Sequence, residues 1–192
     1  MTIFRNINTS ISKVDRLLYL VNSTYFFAIG KNTAWNNSWG ADVSEENPPS
    51  LEETITSIPD IKLYKQPIYK TLATKSQCEG IQFESCGEVI GNQELTLINL
   101  QTTNRETLEA ISPDYLYFRI LIEESDLTFA NIENFRVAGL FKNVTFTNPE
   151  QIRYLPTSVV NQGSLYWASY FTPIFKSNIL AKTSIFQLLL KL

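Results

Sequence analysis

The run Tyr115-Leu116-Tyr117-Phe118-Arg119-Ile120-Leu121-Ile122 carries a single charge in an otherwise apolar stretch. It lacks the polar alternation of a half-exposed strand, and it is rich in the aromatic and β-branched residues that sheets favour. It therefore reads as a strand buried on both faces. A strand covered on both sides requires more sheet around it, and the flanking sequence supplies candidates. Strands are expected at 68–73, 80–90, 95–102, 135–146, 164–171 and 183–192. Breaks fall at Gly91-Asn92, Ser112-Pro113-Asp114, Asn148-Pro149 and Asn161-Gln162-Gly163. Many strands and few helices predict a mainly β fold, an antiparallel β-sandwich or open barrel, built as a single domain over 1–192.

Upstream, residues 10–21 read as a short N-terminal helix. Ser10 or Ser12 can cap it, and Ile11, Val14, Leu18 and Val21 share one face. Tyr25-Phe26-Phe27-Ala28-Ile29-Gly30 follows as an aromatic strand closed by glycine. From 31 to 59 the character changes to a long polar-aromatic loop or arm. Trp35 and Trp39 flank Asn36-Asn37-Ser38, and Glu45-Glu46-Asn47-Pro48-Pro49 comes next. Consecutive prolines deny backbone donors, so this segment is no interior strand. Ser50 and Glu53 form a capping-box pattern for a short helix over 51–55, which Pro59 limits.

Composition narrows the function classes. The chain has no histidine, which removes the commonest general base and the commonest zinc ligand. No phosphate-binding loop, nucleotide fingerprint or nucleophile elbow occurs. The adjacent carboxylates Glu45/Glu46, Glu52/Glu53 and Glu123/Glu124 read as solvated acids. A hydrolase working on carboxylates alone would need two of them held apart across a cleft. A formal charge of -3 with no basic run gives no footprint for nucleic acid. MTIFRNINTS has no apolar run for a secretory leader, and the apolar stretches at 25–29 and 185–192 are too short to span a bilayer. Cys78 and Cys86 suit either a bridge across one hairpin or two small thiols. The expectation is a non-enzymatic structural protein with no cofactor and no metal, binding neither nucleic acid nor membrane. Large aromatics in an irregular segment mark Trp35, Trp39, Pro48 and Pro49 as protein-contact residues, with Trp167 and Tyr170 behind them. Replacing Trp35 and Trp39 by alanine is then expected to leave the chain folded but outside its assembly.

A resemblance sharpens this expectation. The order of a helix, the strand at Phe26–Ile29, Gly30-Lys31, Trp35 and then Asn47-Pro48-Pro49 resembles a signature of baseplate wedge proteins of T4-type contractile-tailed bacteriophages, the gene-product-8-like family. Phe135-Arg136-Val137-Ala138-Gly139-Leu140 with Asn148-Pro149 is similar to a family strand that enters an Asn-Pro turn. Gly163-Ser164-Leu165-Tyr166, Thr172-Pro173-Ile174 and Thr183-Ser184-Ile185-Phe186-Gln187 are similar to its closing hairpin. The chain is shorter than the T4-type protein, which points to a core-only form. The resemblance implies a virion subunit assembled in the host cytoplasm, a β-sandwich core, other wedge proteins as partners, and a homodimer. A glycan- or surface-binding β-sandwich module of a virion tip is the alternative, since loop aromatics also stack on sugars.

Overall fold

The computed structural model describes residues 10–52, 54–75, 83–90, 93–179 and 184–191. The first half of the chain contributes helix α1 (Ser10–Asn22) and strands β1 (Tyr25–Gly30), β2 (Ile61–Lys65), β3 (Tyr69–Lys75), β4 (Phe83–Ile90) and β5 (Gln93–Ile98). Next come α2 (Arg105–Ile111), β6 (Tyr115–Ile122), α3 (Glu124–Phe129), β7 (Asn134–Lys142) and β8 (Thr145–Phe146). The chain continues through β9 (Arg153–Tyr154), β10 (Val159–Asn161), β11 (Ser164–Phe175) and β12 (Ser184–Lys191). The fold is mainly β, with several antiparallel sheets and a short N-terminal helix. Two compact units share the chain: one of Met1–Ser23, Tyr69–Arg119 and Gln187–Leu192, the other of Thr24–Ile68 and Ile120–Phe186.

The first unit holds the larger part of the sheet β12-β6-β3-β5-β4. Its small core joins Ala73, Leu95, Leu97, Tyr115 and Tyr117, with Tyr69 and Leu189 packed against them. Helix α1 forms as the sequence predicts but turns its face by one residue. Val14, Leu17, Leu20 and Val21 are buried, whereas Leu18 is only half-buried. Helix α2 was not expected, because seven residues with one buried apolar side chain, Leu108, leave almost no periodic signal. It forms because the Asn104 side chain accepts the Thr107 N–H and so caps it. Arg105 also reaches Asp15 on α1.

The second unit holds the open sheet β11-β7-β1-β2-β9 and the small pair β10-β8. All four neighbour pairings of the larger sheet are antiparallel. Strand β1 lies near its centre, and all six of its residues are buried. Phe26 and Ala28 enter a cluster with Trp35, Ile58, Tyr64, Val137, Phe141, Val144, Phe146 and Tyr154. Phe27 faces the other way, stacked at 6.4 Å on Trp167. Gly30 is required where β1 ends. A Cβ there would lie 2.6 Å from the Asp60 carbonyl oxygen and 2.8 Å from that of Pro59, so only glycine lets the returning chain cross so closely.

Several expected elements are revised. Among the described residues of 51–55 no helix forms: Thr54 lies in a turn, and Leu51, Glu52 and Ile55 are irregular. The strand expected at 135–146 is interrupted at Asn143, which takes a φ of 60°, and so divides into β7 and β8. The strand at 95–102 stops at Ile98, and that at 164–171 runs on to Phe175 past Pro173. Pro173 is tolerated because the register slips between Tyr170 and Ile174. Strand β2 escaped the pattern because it contains two lysines, Lys62 and Lys65. Cys78 lies outside the described residues, as does the Cys86 side chain, so the thiol alternatives stand.

Lys65 is accounted for by Asp126. Its ammonium bonds the Asp126 carboxylate, which is 1% exposed and also accepts the Glu123 N–H at 2.8 Å and an Arg153 guanidinium N–H at 3.2 Å. The Glu123 and Asp126 side chains complete a capping box at the start of α3. Lys65 and Arg153 are paired residues in the β2–β9 register. Like charges directly opposite are unfavourable in a sheet. The single carboxylate between them turns that repulsion into a tie between α3 and two strands.

Candidate functional site

The polar-aromatic segment of the second unit is held down along its own sheet. Lys31 leaves β1 with a φ of 55°, and its N–H donates to the Asp60 carbonyl. Its ammonium, buried here, donates to the carbonyls of Thr33 at 2.9 Å and Ala34 at 3.1 Å. Burial, aided by Arg136, lowers the Lys31 pKa against the opposing pull of Asp60 and Glu45. The chain thus curls around one cation and delivers Trp35 into the core, where it is 3% exposed. The Trp35 indole N–H donates to the Phe171 carbonyl at 3.0 Å, which ties the segment to β11.

Trp39 meets Trp35 edge-on at 5.2 Å, Tyr170 lies 5.3 Å from Trp35, and Trp39 itself remains 40% exposed. The Lys31 ammonium sits 5.3 Å from the centre of the Trp35 ring and 5.5 Å from that of Trp39. A short helical turn over Asn37–Trp39 orients the outer indole, capped by the Asn36 side chain. Paired backbone bonds between Ser44 and Asn47 then fold residues 41–47 back toward it.

A second tie comes from Glu45. Its carboxylate accepts the Trp35 N–H and pairs with the Arg136 guanidinium at 2.8–3.0 Å. Arg136 projects from β7 and is buried, and it also donates to the Asn32 carbonyl at 3.2 Å and to the Asn134 side chain. Burial alone would push the Glu45 pKa up. The hydrogen bonds from Arg136 and Trp35 and the charges of Arg136 and Lys31 outweigh it and hold the carboxyl below its ordinary value of 4.5. A depressed carboxylate pKa contributes stability that is complete above the unfolded value and is lost as pH falls through the folded one. The segment is therefore expected to loosen below about pH 4.5, seen as rising exposure of Trp35 to a fluorescence quencher. Glu45→Gln should abolish that acid transition; a transition that persists would assign it to other carboxylates.

Above this anchored base lies an exposed face. Trp39, Pro49, Ser50, Glu52, Ile55 and Tyr170 are among the residues that line a hollow of about 450 Å³. An adjoining hollow of about 520 Å³ shares Trp39, Pro49, Ser50 and Glu52 and adds Asp42 and Pro48. The sequence-predicted residues Trp39, Pro48, Pro49 and Tyr170 thus come together, with Trp35 beneath them. Trp167 does not join them, because it lies on the opposite side of β11 against Phe27. Trp35 lies beneath these residues with its ring enclosed by its own chain. The sequence reading missed Glu45 and Arg136 as ties. The available signal was an arginine in the apolar run that became β7, which demands a partner once buried.

Of the carboxylates weighed as hydrolytic pairs, Glu45 is held by Arg136 and Glu123 caps α3. Among the described residues, no helix is long and apolar enough to cross a membrane. Fold and site together define a class by architecture, a β-sheet scaffold that displays a braced aromatic and proline face. The model of the baseplate wedge 3 tail fiber network component family matches residues 6–190, and the chain belongs to that family. It is a component of the viral tail baseplate wedge and its fiber network. No curated protein matches it.

Proposed function

We propose that the chain is a non-catalytic wedge subunit of a contractile bacteriophage tail, of the gene-product-8-like kind, that binds neighbouring wedge proteins through the Trp39–Pro49–Tyr170 face. The observation that carries the reading is the build of that face. Trp39 is exposed and Pro49 and Tyr170 are half-buried beside it, yet Trp35, Lys31 and the Glu45–Arg136 pair fix the backbone beneath them. A partner docking here would not have to order a loose loop, which is a large part of the cost of association. Pro48 and Pro49 add rigidity for the same reason. The proposed neighbours are other wedge proteins and, following the resemblance, a second copy of the chain.

Trp39→Ala tests this in the virus that encodes the protein. The variant should fold, because Trp39 lies at the rim, and its abundance in purified baseplates should fall at least about tenfold, as truncation of an interface anchor does. Incorporation at the normal level would remove this face from the interface.

A further inference from the structure

The same face holds an acid without a partner. Glu52 is exposed and lines the hollow beside Trp39, Pro49, Ile55 and Tyr170, and its carboxylate has no hydrogen bond or ion pair among the described residues. Among the described residues, neither this hollow nor the adjoining one has a lysine or arginine in its lining, and the adjoining one adds Asp42. The negative charge is felt inside: burial first, and then the Glu52 carboxylate, raises the pKa of the Tyr170 phenol. The chain also shows what its indoles accept, since the Lys31 ammonium already lies against the rings of Trp35 and Trp39.

We propose that this hollow receives an arginine side chain from an extended segment of a neighbouring wedge subunit, stacked against the exposed Trp39 beside the half-buried Tyr170 and paired with Glu52. The inference rests on the contact-face reading and names what that face recognises. An acidic, aromatic-walled hollow without a cation of its own is complementary to a positive side chain. Arginine suits it better than lysine, because a planar, weakly hydrated guanidinium can stack on a ring and present a fork of donors to a carboxylate at once. The hollow is also larger than one side chain needs, so residues flanking the arginine would lie against Pro49, Ile55 and Pro59.

The test uses the full chain with its tryptophan indole groups labelled for NMR. The probes are N-acetyl-arginine methylamide, its neutral citrulline counterpart and a simple methyl glycoside. The arginine probe should shift the Trp39 indole signal saturably, and the citrulline probe should not. Glu52→Gln should weaken the arginine probe by about threefold or more, the scale of an exposed ion pair aided by stacking. Equal response to citrulline, no effect of Glu52→Gln, or response to the glycoside alone overturns the proposal, the last in favour of sugar recognition. In the virus, Glu52→Arg should be excluded from baseplates and rescued by loss of an arginine in another structural protein. If Trp39→Ala is excluded but the arginine probe ignores the hollow, the contact face stands and the arginine assignment falls. If the probe binds but Trp39→Ala is incorporated normally, the contact face falls, and a neighbouring subunit as the arginine's source falls with it.

Discussion

Asp126→Ala is expected to lower the unfolding free energy by about 3–5 kcal/mol, the cost of leaving a buried charge without its counterion. Asp126 is enclosed, the Lys65 side chain is 4% exposed, and Arg153 is Lys65's register partner on the next strand. Without the carboxylate, two cations face each other and α3 loses half of its capping box. Glu123 lies 3.5 Å from the Lys65 ammonium but is 46% exposed, so it offsets only part of the loss. Urea unfolding would show the change as a lower midpoint with an unchanged slope. A drop below about 1 kcal/mol would mean that water reaches Lys65 once the aspartate is gone. Joint replacement by Lys65→Met and Asp126→Leu should recover most of the loss, because a well-packed apolar pair often substitutes for a buried ion pair.

Trp35→Ala ranks next, at about 3–5 kcal/mol, the usual range for truncating a large buried aromatic. The indole fills the cluster between Phe26, Val137 and Tyr170, and its N–H satisfies the Phe171 carbonyl. Its loss should also free the outer segment, so Trp39 becomes more accessible to quencher. This reverses the sequence-based expectation that Trp35 and Trp39 behave alike. Trp39→Ala should cost far less stability, because its ring is already 40% exposed, and act mainly on assembly. Trp35→Phe separates the two contributions: a ring that keeps the packing but loses the N–H should retain most of the stability. Similar losses for Trp35→Ala and Trp39→Ala would show that the outer indole is as much a part of the fold as the inner one.

How much could be read beforehand varied with the range of the interactions. Strand β1, from Tyr25 to Gly30, and β6, from Tyr115 to Ile122, match the sequence reading residue for residue. Both are apolar runs, broken only by Arg119 in β6, and such runs report burial directly. Strand β2 was hidden because Lys65 looks like a surface residue until Asp126, 61 positions away, is brought to it. The candidate site divides along the same line. Trp39, Pro48, Pro49 and Tyr170 were legible as large or rigid residues, and the fold gathers them. That Trp35 lies inside could not be seen, since a tryptophan in a polar loop has the same local pattern whether it faces its own core or a partner.

The sequence by itself determined the β-rich class, the leading helix, the two aromatic strands and the irregular, proline-bearing character of 31–59. These are properties of neighbouring residues: hydrophobic period, turn chemistry and the missing backbone donor of proline. Only the tertiary structure decided which side of β11 each aromatic takes, that Arg136 meets Glu45 across 91 positions, and that Glu52 has no cation beside it among the described residues. Those outcomes follow from strand order and register. A shift of one residue exchanges the two faces of a strand, and a charge on a loop finds its partner only once the sheet beneath it is assembled.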